Sequence, residues 1–265
     1  MPLRTAVLFC ALLLPASAEL RLNVTVTERK TGQAVTDLKA GDFSLLEDKS
    51  RRNIESAQYQ TGIVDVMLLL DSSLVGEMVR PLAADLIEQL QEKEQMAVVS
   101  FHTSADLIQD FTSSKQLLNR ALESVRYGNT PNVLDAIYAV LDSGFEHAAY
   151  RRVVLVLTAG IEGRSRVTEQ QVIRMARRQG ASIYPIFVVG YERSMFEKLA
   201  RGTGGAMFQL NEMKKQAPGD IARRIFDTVR GFYAITVSGN LSLSEKSRIE
   251  VSRPEKAFVG ALPLE

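Results

Sequence analysis

Two short apolar runs limit what this chain can become. Val64-Asp-Val-Met-Leu-Leu-Leu70 and Val153-Val-Leu-Val-Leu157 carry almost no polar interruption. A strand without alternation is one buried on both faces, as in a parallel sheet covered by helices. Each run ends on small or polar residues, Asp71-Ser-Ser-Leu-Val75 after the first and Thr158-Ala-Gly160 after the second. Ligands of open α/β sheets bind beyond the carboxyl ends of the strands. Asp71 and its neighbours therefore occupy the place where a site is built.

The surrounding pattern extends this to a fold. Residues 62–230 alternate strand-like segments (Val64–Leu70, Met96–Phe101, Val153–Leu157, Ile183–Val189) with helix-like ones (82–91, 115–125, 131–142, 168–179, 219–230) whose apolar residues recur at three-to-four spacing. Such alternation predicts an α/β, doubly wound, mostly parallel sheet flanked by helices. Pro81 suits a first helical turn, where its missing N–H costs little. The flanks differ. Residues 20–28 alternate cleanly and predict a strand with one buried face, and Phe43–Glu47, Phe232–Val237 and Arg248–Val251 are further strand candidates. Each end alone supplies too few strands to be stable. They are expected to combine into a small β-sandwich, giving four segments: 1–18 a leader, 19–60 and 232–265 the two halves of the sandwich, and 61–231 the α/β domain.

The leader is read from Arg4, the apolar run Ala6–Leu14 and the small residues Ala16-Ser-Ala18. That combination predicts a secretory signal peptide cut before Glu19, and hence an exported protein, periplasmic or extracellular. The chain's single cysteine, Cys10, would leave with it. A disulfide-free mature chain fits a bacterial exported protein held by its core alone. With a net charge of +1 there is no electrostatic reason to expect nucleic acid as a partner. No transmembrane segment is expected in the mature chain.

Several residues invite chemical readings. Asp71, at a strand-to-helix junction, suits an N-cap, and Ser72 and Ser73 suit turn hydroxyls. Thr130, in Gly128-Asn-Thr-Pro131, suits the cap of the helix that follows. The residues alone do not separate capping from metal ligation at these positions. Gly202-Thr-Gly-Gly205 follows a helix-like segment, Met195–Ala200, and precedes Ala206-Met-Phe208, so it is expected to end a helix and not to cradle a phosphate. His102 and His147 are far apart and have no cysteine to join them in a metal site. A serine nucleophile at Ser72 or Ser73 would need a base and an orienting group, and none is assignable. The chain is therefore not expected to be an enzyme and has no assigned catalytic or cofactor-binding residue.

The order of these pieces resembles a von Willebrand factor A (VWA) domain, and the likeness covers essentially the whole mature chain. Met96-Ala-Val-Val-Ser-Phe101, Gln109-Asp-Phe-Thr112, Ile183-Tyr-Pro-Ile186 and the upstream Val35-Thr-Asp-Leu-Lys-Ala-Gly-Asp-Phe43 with Leu46-Glu-Asp48 are similar to extracytoplasmic VWA-related proteins of Acidobacteria. The family carries a metal-ion-dependent adhesion site, built from an Asp-x-Ser-x-Ser loop, a distant Thr and a distant Asp. By position these fall on Asp71, Ser73, Val75, Thr130 and Ala159. Asp71, Ser73 and Thr130 keep an oxygen, whereas Val75 and Ala159 have lost theirs.

Mg²⁺ asks for near-octahedral oxygen ligands at roughly 2.0–2.1 Å, and affinity at hard-cation sites follows ligand charge and rigidity. The resemblance therefore implies a degenerate site: no cofactor, or weak Mg²⁺ or Mn²⁺ binding at most. Glu77 and Glu162, with Asp135 nearby, are the candidates to replace the lost carboxylate. The function implied is capture of a protein partner in the cell envelope, largely without metal. The alternative is a structural scaffold of an envelope complex with a non-functional top face.

Overall fold

The computed structural model describes residues 19–264 apart from 48–49, 129, 214–216, 239–246 and 254–255; the expected signal peptide lies outside the described residues. The N-terminal flank forms β1 (Glu19–Glu28), β2 (Phe43–Glu47), β3 (Ser50–Asn53) and β4 (Ser56–Thr61). Then follow β5 (Val64–Asp71), α1 (Arg80–Glu88), β6 (Gln95–Phe101), β7 (Ala105–Thr112), α2 (Lys115–Ser124) and α3 (Val133–Ser143). The chain continues through β8 (Arg151–Thr158), α4 (Glu169–Arg178), β9 (Ala181–Phe187), α5 (Arg193–Gly202), β10 (Phe208–Gln209) and α6 (Pro218–Arg230), and closes with β11 (Gly231–Ser238), β12 (Arg248–Val251) and β13 (Ala257–Leu264).

The central sheet has six strands in the order β10-β9-β8-β5-β6-β7, parallel except for β7 against β6. Every residue of β5 is buried. Its two faces feed separate cores: Val66, Leu68 and Leu70 pack with α1, α2 and α6, while Met67 and Leu69 pack with α3, α4 and α5. This double burial is the reason the sequence of β5 lacks alternation. The chain leaves β5 toward β6 on one side and returns as β8 on the other. The strand order thus reverses between β5 and β8, which puts the topological switch point beside the end of β5.

The flanks build two small antiparallel sheets, β13-β1-β11-β4 and β12-β2-β3. One apolar cluster takes Leu22, Val24, Tyr233 and Ile235 from the first and Phe43, Leu45 and Ile249 from the second. The Tyr233 ring meets Phe43 and Tyr59 edge-on, and its hydroxyl donates to the Val35 carbonyl at 2.9 Å. Both ends of the chain are needed, since β1 pairs with β11 on one side and β13 on the other.

Some expectations shift. The second face of β1, expected to be exposed, is exposed at Arg21 but buried at Thr25 and Thr27, and Thr25 Oγ1 donates to the Gly204 carbonyl at 2.7 Å. The first helix runs over Arg80–Glu88 instead of 82–91, with Pro81 in its first turn. Gly202-Thr-Gly-Gly205 does end α5, with Gly204 at φ 72°. β7 hides from a period-two reading because it is a half-exposed edge strand whose register against β6 shifts twice.

Candidate functional site

At the switch point Asp71 closes β5, fully buried, and its two oxygens face opposite ways. Oδ1 accepts from the Ser73 amide at 2.9 Å, folding the chain back in an Asx turn. Oδ2 reaches across to the end of β8 and accepts from Thr158 Oγ1 at 2.7 Å and the Ala159 amide at 3.1 Å. Thr158 is held in turn, its hydroxyl accepting from the Gly160 amide at 3.1 Å. Asp71 is therefore a cross-strand tie and not the cap of α1, whose N-terminus has no side-chain cap. Thr158 was not a candidate ligand, and its role follows from register: Leu70 pairs with Leu157, so the next residues meet at the two strand ends.

The neighbouring loops are fixed by backbone contacts. Ser72 Oγ donates to the Phe101 carbonyl at 2.9 Å, and the Ser72 carbonyl accepts from the Gly128 amide at 2.7 Å. Ser73 bridges Gly128 in parallel, which draws the loop carrying Thr130 alongside the Asp71 loop. Ser73 Oγ is buried without a hydrogen-bond partner. Thr130 is exposed and does not cap α3, which starts at Val133. Gly76 has to be glycine, because a Cβ there would sit 2.1 Å from the Asp71 carbonyl oxygen.

The carboxylates near this face have other partners. Glu162 Oε2 accepts from the Val133 and Leu134 amides at 2.9 and 3.2 Å, so it caps α3 from the loop after β8. Asp135 Oδ1 accepts from the Arg166 and Val167 amides at 2.8 and 3.1 Å. Of the two glutamates singled out, Glu162 is thus committed to the backbone, and Glu77 is exposed on the turn before α1. Among the described residues no group of three or more His, Cys, Asp or Glu side chains is placed to hold a metal ion. His102 lies against Gly128, its Nδ1 within 2.7 Å of the Thr103 amide, and His147 is exposed.

Apolar side chains stand at Val75 and Ala159, the two positions for which the resemblance implied ligands. Val75 is 46% exposed and Ala159 is buried. Both line a shallow depression of about 520 Å³ with Leu74, Met78, Ile161 and Tyr191. Sequence reasoning did not single out Leu74, Met78 or Tyr191; the available signal was Leu74-Val75, two adjacent aliphatics in a loop that otherwise wants polar residues.

The comparisons with known proteins agree with this architecture. A BatB protein from Bacteroides thetaiotaomicron shares 15% identity at a TM-score of 0.51, covering 63% of this chain and 99% of that one. An aerotolerance-related membrane protein from Bacteroides fragilis gives 15% identity and a TM-score of 0.50, with 63% and 98% covered. Proximal thread matrix protein 1 from the mussel byssus gives 16% and 0.54, with 74% of this chain and 51% of that chain covered. No curated protein sequence matches. Residues 65–223 match the von Willebrand factor type A domain profile over more than half of the chain, and the chain belongs to that family.

Proposed function

We propose that this protein is an exported interaction module that captures a protein partner through the top face of its VWA domain, largely without a metal ion. The observation that carries the reading is the state of Asp71. Both of its oxygens already accept from the protein's own donors, and its neighbours at the ligand positions are Val75 and Ala159. One of the mussel protein structures is described with zinc in its metal-ion-dependent adhesion site. Here the donor set does not fit such an ion. The unpartnered hydroxyl of Ser73 and the exposed Thr130 would favour one, but a single engaged carboxylate is too little charge to offset a divalent cation. Weak Mg²⁺ or Mn²⁺ binding is the most this set supports. The Ser72 hydroxyl is buried and donates to the Phe101 backbone carbonyl, with no side-chain base bonded to it among the described residues, and this supports binding over catalysis.

Export rests on the leader-like residues 1–18 and the absence of cysteine after Cys10. No helix among the described residues is long and apolar enough to cross a membrane. The narrower likeness to the acidobacterial extracytoplasmic group rests on the order and spacing of short motifs in the α/β domain and in the N-terminal flank.

Thermal unfolding in EDTA and in millimolar Mg²⁺ or Mn²⁺ tests the metal part. An ion at 100 times its Kd stabilises the native state by about 2.7 kcal/mol. The natural chain should not respond, and a Val75→Ser/Ala159→Asp variant should. A response of the natural chain would return metal-bridged carboxylate recognition to first place. Photo-cross-linking from position 78 in the native host tests capture. Adducts formed in EDTA are expected, and adducts that need the metal would overturn the reading. No adduct at all would favour the scaffold alternative.

A further inference from the structure

The depression beside Asp71 has a composition that selects its occupant. Leu74 is 73% exposed, Met78 57% and Tyr191 81%. With Val75 they make up half of the large apolar side chains exposed among the described residues, gathered around one depression. Monomeric proteins rarely gather exposed apolar surface without a use for it, and a concave, aromatic-edged patch is what a docking anchor fills. Its volume of about 520 Å³ is room for a large side chain and the backbone around it.

Charge narrows the choice further. Glu77 is the one charged residue lining the depression, and the buried carboxylate of Asp71 lies below, bonded to Ala159, which forms part of the lining. Arg193, two residues beyond Tyr191, is held by Gln209 and Glu212. A carboxylate entering here would meet like charge with no ion to bridge it, whereas a cation beside an apolar anchor would be attracted. We propose that the depression binds a partner polypeptide through an apolar side chain, aliphatic or aromatic, adjacent to a lysine or arginine, the opposite of the carboxylate chemistry a metal-loaded site would use. This rests on the reading of the top face as metal-independent and adds the chemistry of the partner.

The test uses the full protein and three pools of fluorescent peptides on a Gly/Ser frame, read by anisotropy in EDTA. One pool pairs Leu or Phe with Lys or Arg, the second pairs Leu or Phe with Glu, and the third pairs Ser with Lys. The first pool should bind at least tenfold more tightly than either other. Met78→Ser/Tyr191→Ser should abolish that preference by weakening the first pool at least tenfold, and Glu77→Gln should narrow the gap between the first two. Both double-variant positions are exposed, so an unchanged circular dichroism spectrum is expected and excludes misfolding as the cause. Equal binding of the acidic pool, an unaffected double variant, no binding by any pool, or a concentration-dependent dimer that buries this face would each overturn the proposal. Cross-linked adducts that form in EDTA and survive Met78→Ser/Tyr191→Ser, with the probe moved to position 74, would sink this inference and leave the capture function standing. Adducts lost in EDTA would sink that function as well.

Discussion

Replacing Asp71 decides whether its carboxylate is a strut or a vestige. Asp71→Ala would leave three buried donors behind: the amides of Ser73 and Ala159 and the hydroxyl of Thr158. An unsatisfied buried donor costs about 1–3 kcal/mol, and hydrogen bonds to a charged group are the stronger ones. Against this stands relief from burying a carboxylate whose partners include no cation, a penalty of several kcal/mol in a dry site. With three donors aimed at two oxygens, the bonds should win, and we expect a net loss of about 3–5 kcal/mol. Asp71→Asn keeps the shape but can accept on one side only. Its oxygen placed toward Thr158 and Ala159 leaves an amide group against the Ser73 N–H, and the loss should be about 1–2 kcal/mol. Urea unfolding followed by far-UV circular dichroism, in EDTA, measures both. The expected order of stability is natural chain, then Asn, then Ala, with an unchanged m-value. If the Ala variant equals or exceeds the natural chain, the carboxylate is an unrelieved burden kept for some function, and the structural account of Asp71 fails.

Two further outcomes concern ion pairs elsewhere in the molecule, and a third returns to the neighbour of Asp71. Glu94 is buried and takes two bonds from Arg230, at 2.8 and 2.6 Å, while the same guanidinium bonds the Gln89 carbonyl; Glu94→Ala should therefore lose about 3–5 kcal/mol in urea unfolding, because it strands a mostly buried cation. For Glu197, burial pushes the pKa up, but the hydrogen bonds and charges of Arg201 and Arg29 outweigh it and leave it below the ordinary 4.5. A depressed carboxylate contributes stability above its unfolded pKa and loses it as pH falls through the folded one, so the advantage of the natural chain over Glu197→Gln should hold at neutral pH and shrink below pH 4.5 in acid titrations followed by fluorescence. Ala159→Asp alone puts a second carboxylate beside buried Asp71, and should lose about 2–4 kcal/mol in EDTA and recover part of it in Mg²⁺. An Ala159→Asp variant as stable as the natural chain in EDTA would mean that the site tolerates paired charge unaided.

How much of this was legible follows from which forces are local. β5 and β8 announced themselves because burial on both faces writes a continuous apolar run, and α4 did so through the three-to-four spacing of its apolar residues. β4 and β13 were missed for the opposite reason. Ser-Ala-Gln-Tyr-Gln-Thr61 is an exposed edge strand, and Ala257–Leu264 carries Gly260 and Pro263, which weaken any strand signal although Gly260 is required where a Cβ would strike the Gly205 carbonyl at 2.2 Å. At the site, the end of an apolar run pointed to Asp71 and its neighbours, and the resemblance to the VWA family added Thr130 and Ala159 to Asp71, Ser73 and Val75. Neither showed that Thr158 would complete the carboxylate's shell or that Glu162 would cap a helix 29 residues away from it at Val133, since those pairings depend on sheet register and loop course.

The same carboxylates explain how this face is held by the chain's own bonds. Asp71 ties the end of β5 to the end of β8, Glu162 ties the loop after β8 to the start of α3, and Asp135 ties α3 back to the amides of Arg166 and Val167. Asn132 Oδ1 adds a bond from the Arg164 amide, so that the loop is held from both sides of the helix start. The three carboxylate ties direct their charge at backbone amides and, for Asp71, also at the Thr158 hydroxyl. Gly160, at φ 101° with its Cα pressed so close to the Val189 carbonyl that a Cβ would stand 2.1 Å away, locks the β8 loop to the loop after β9. A surface fixed in this way loses little freedom when a partner docks, and binding free energy that would go into ordering loops is kept as affinity. The face is therefore braced, and the side chains around its depression are mostly apolar, with Glu77 the one charged residue of the lining.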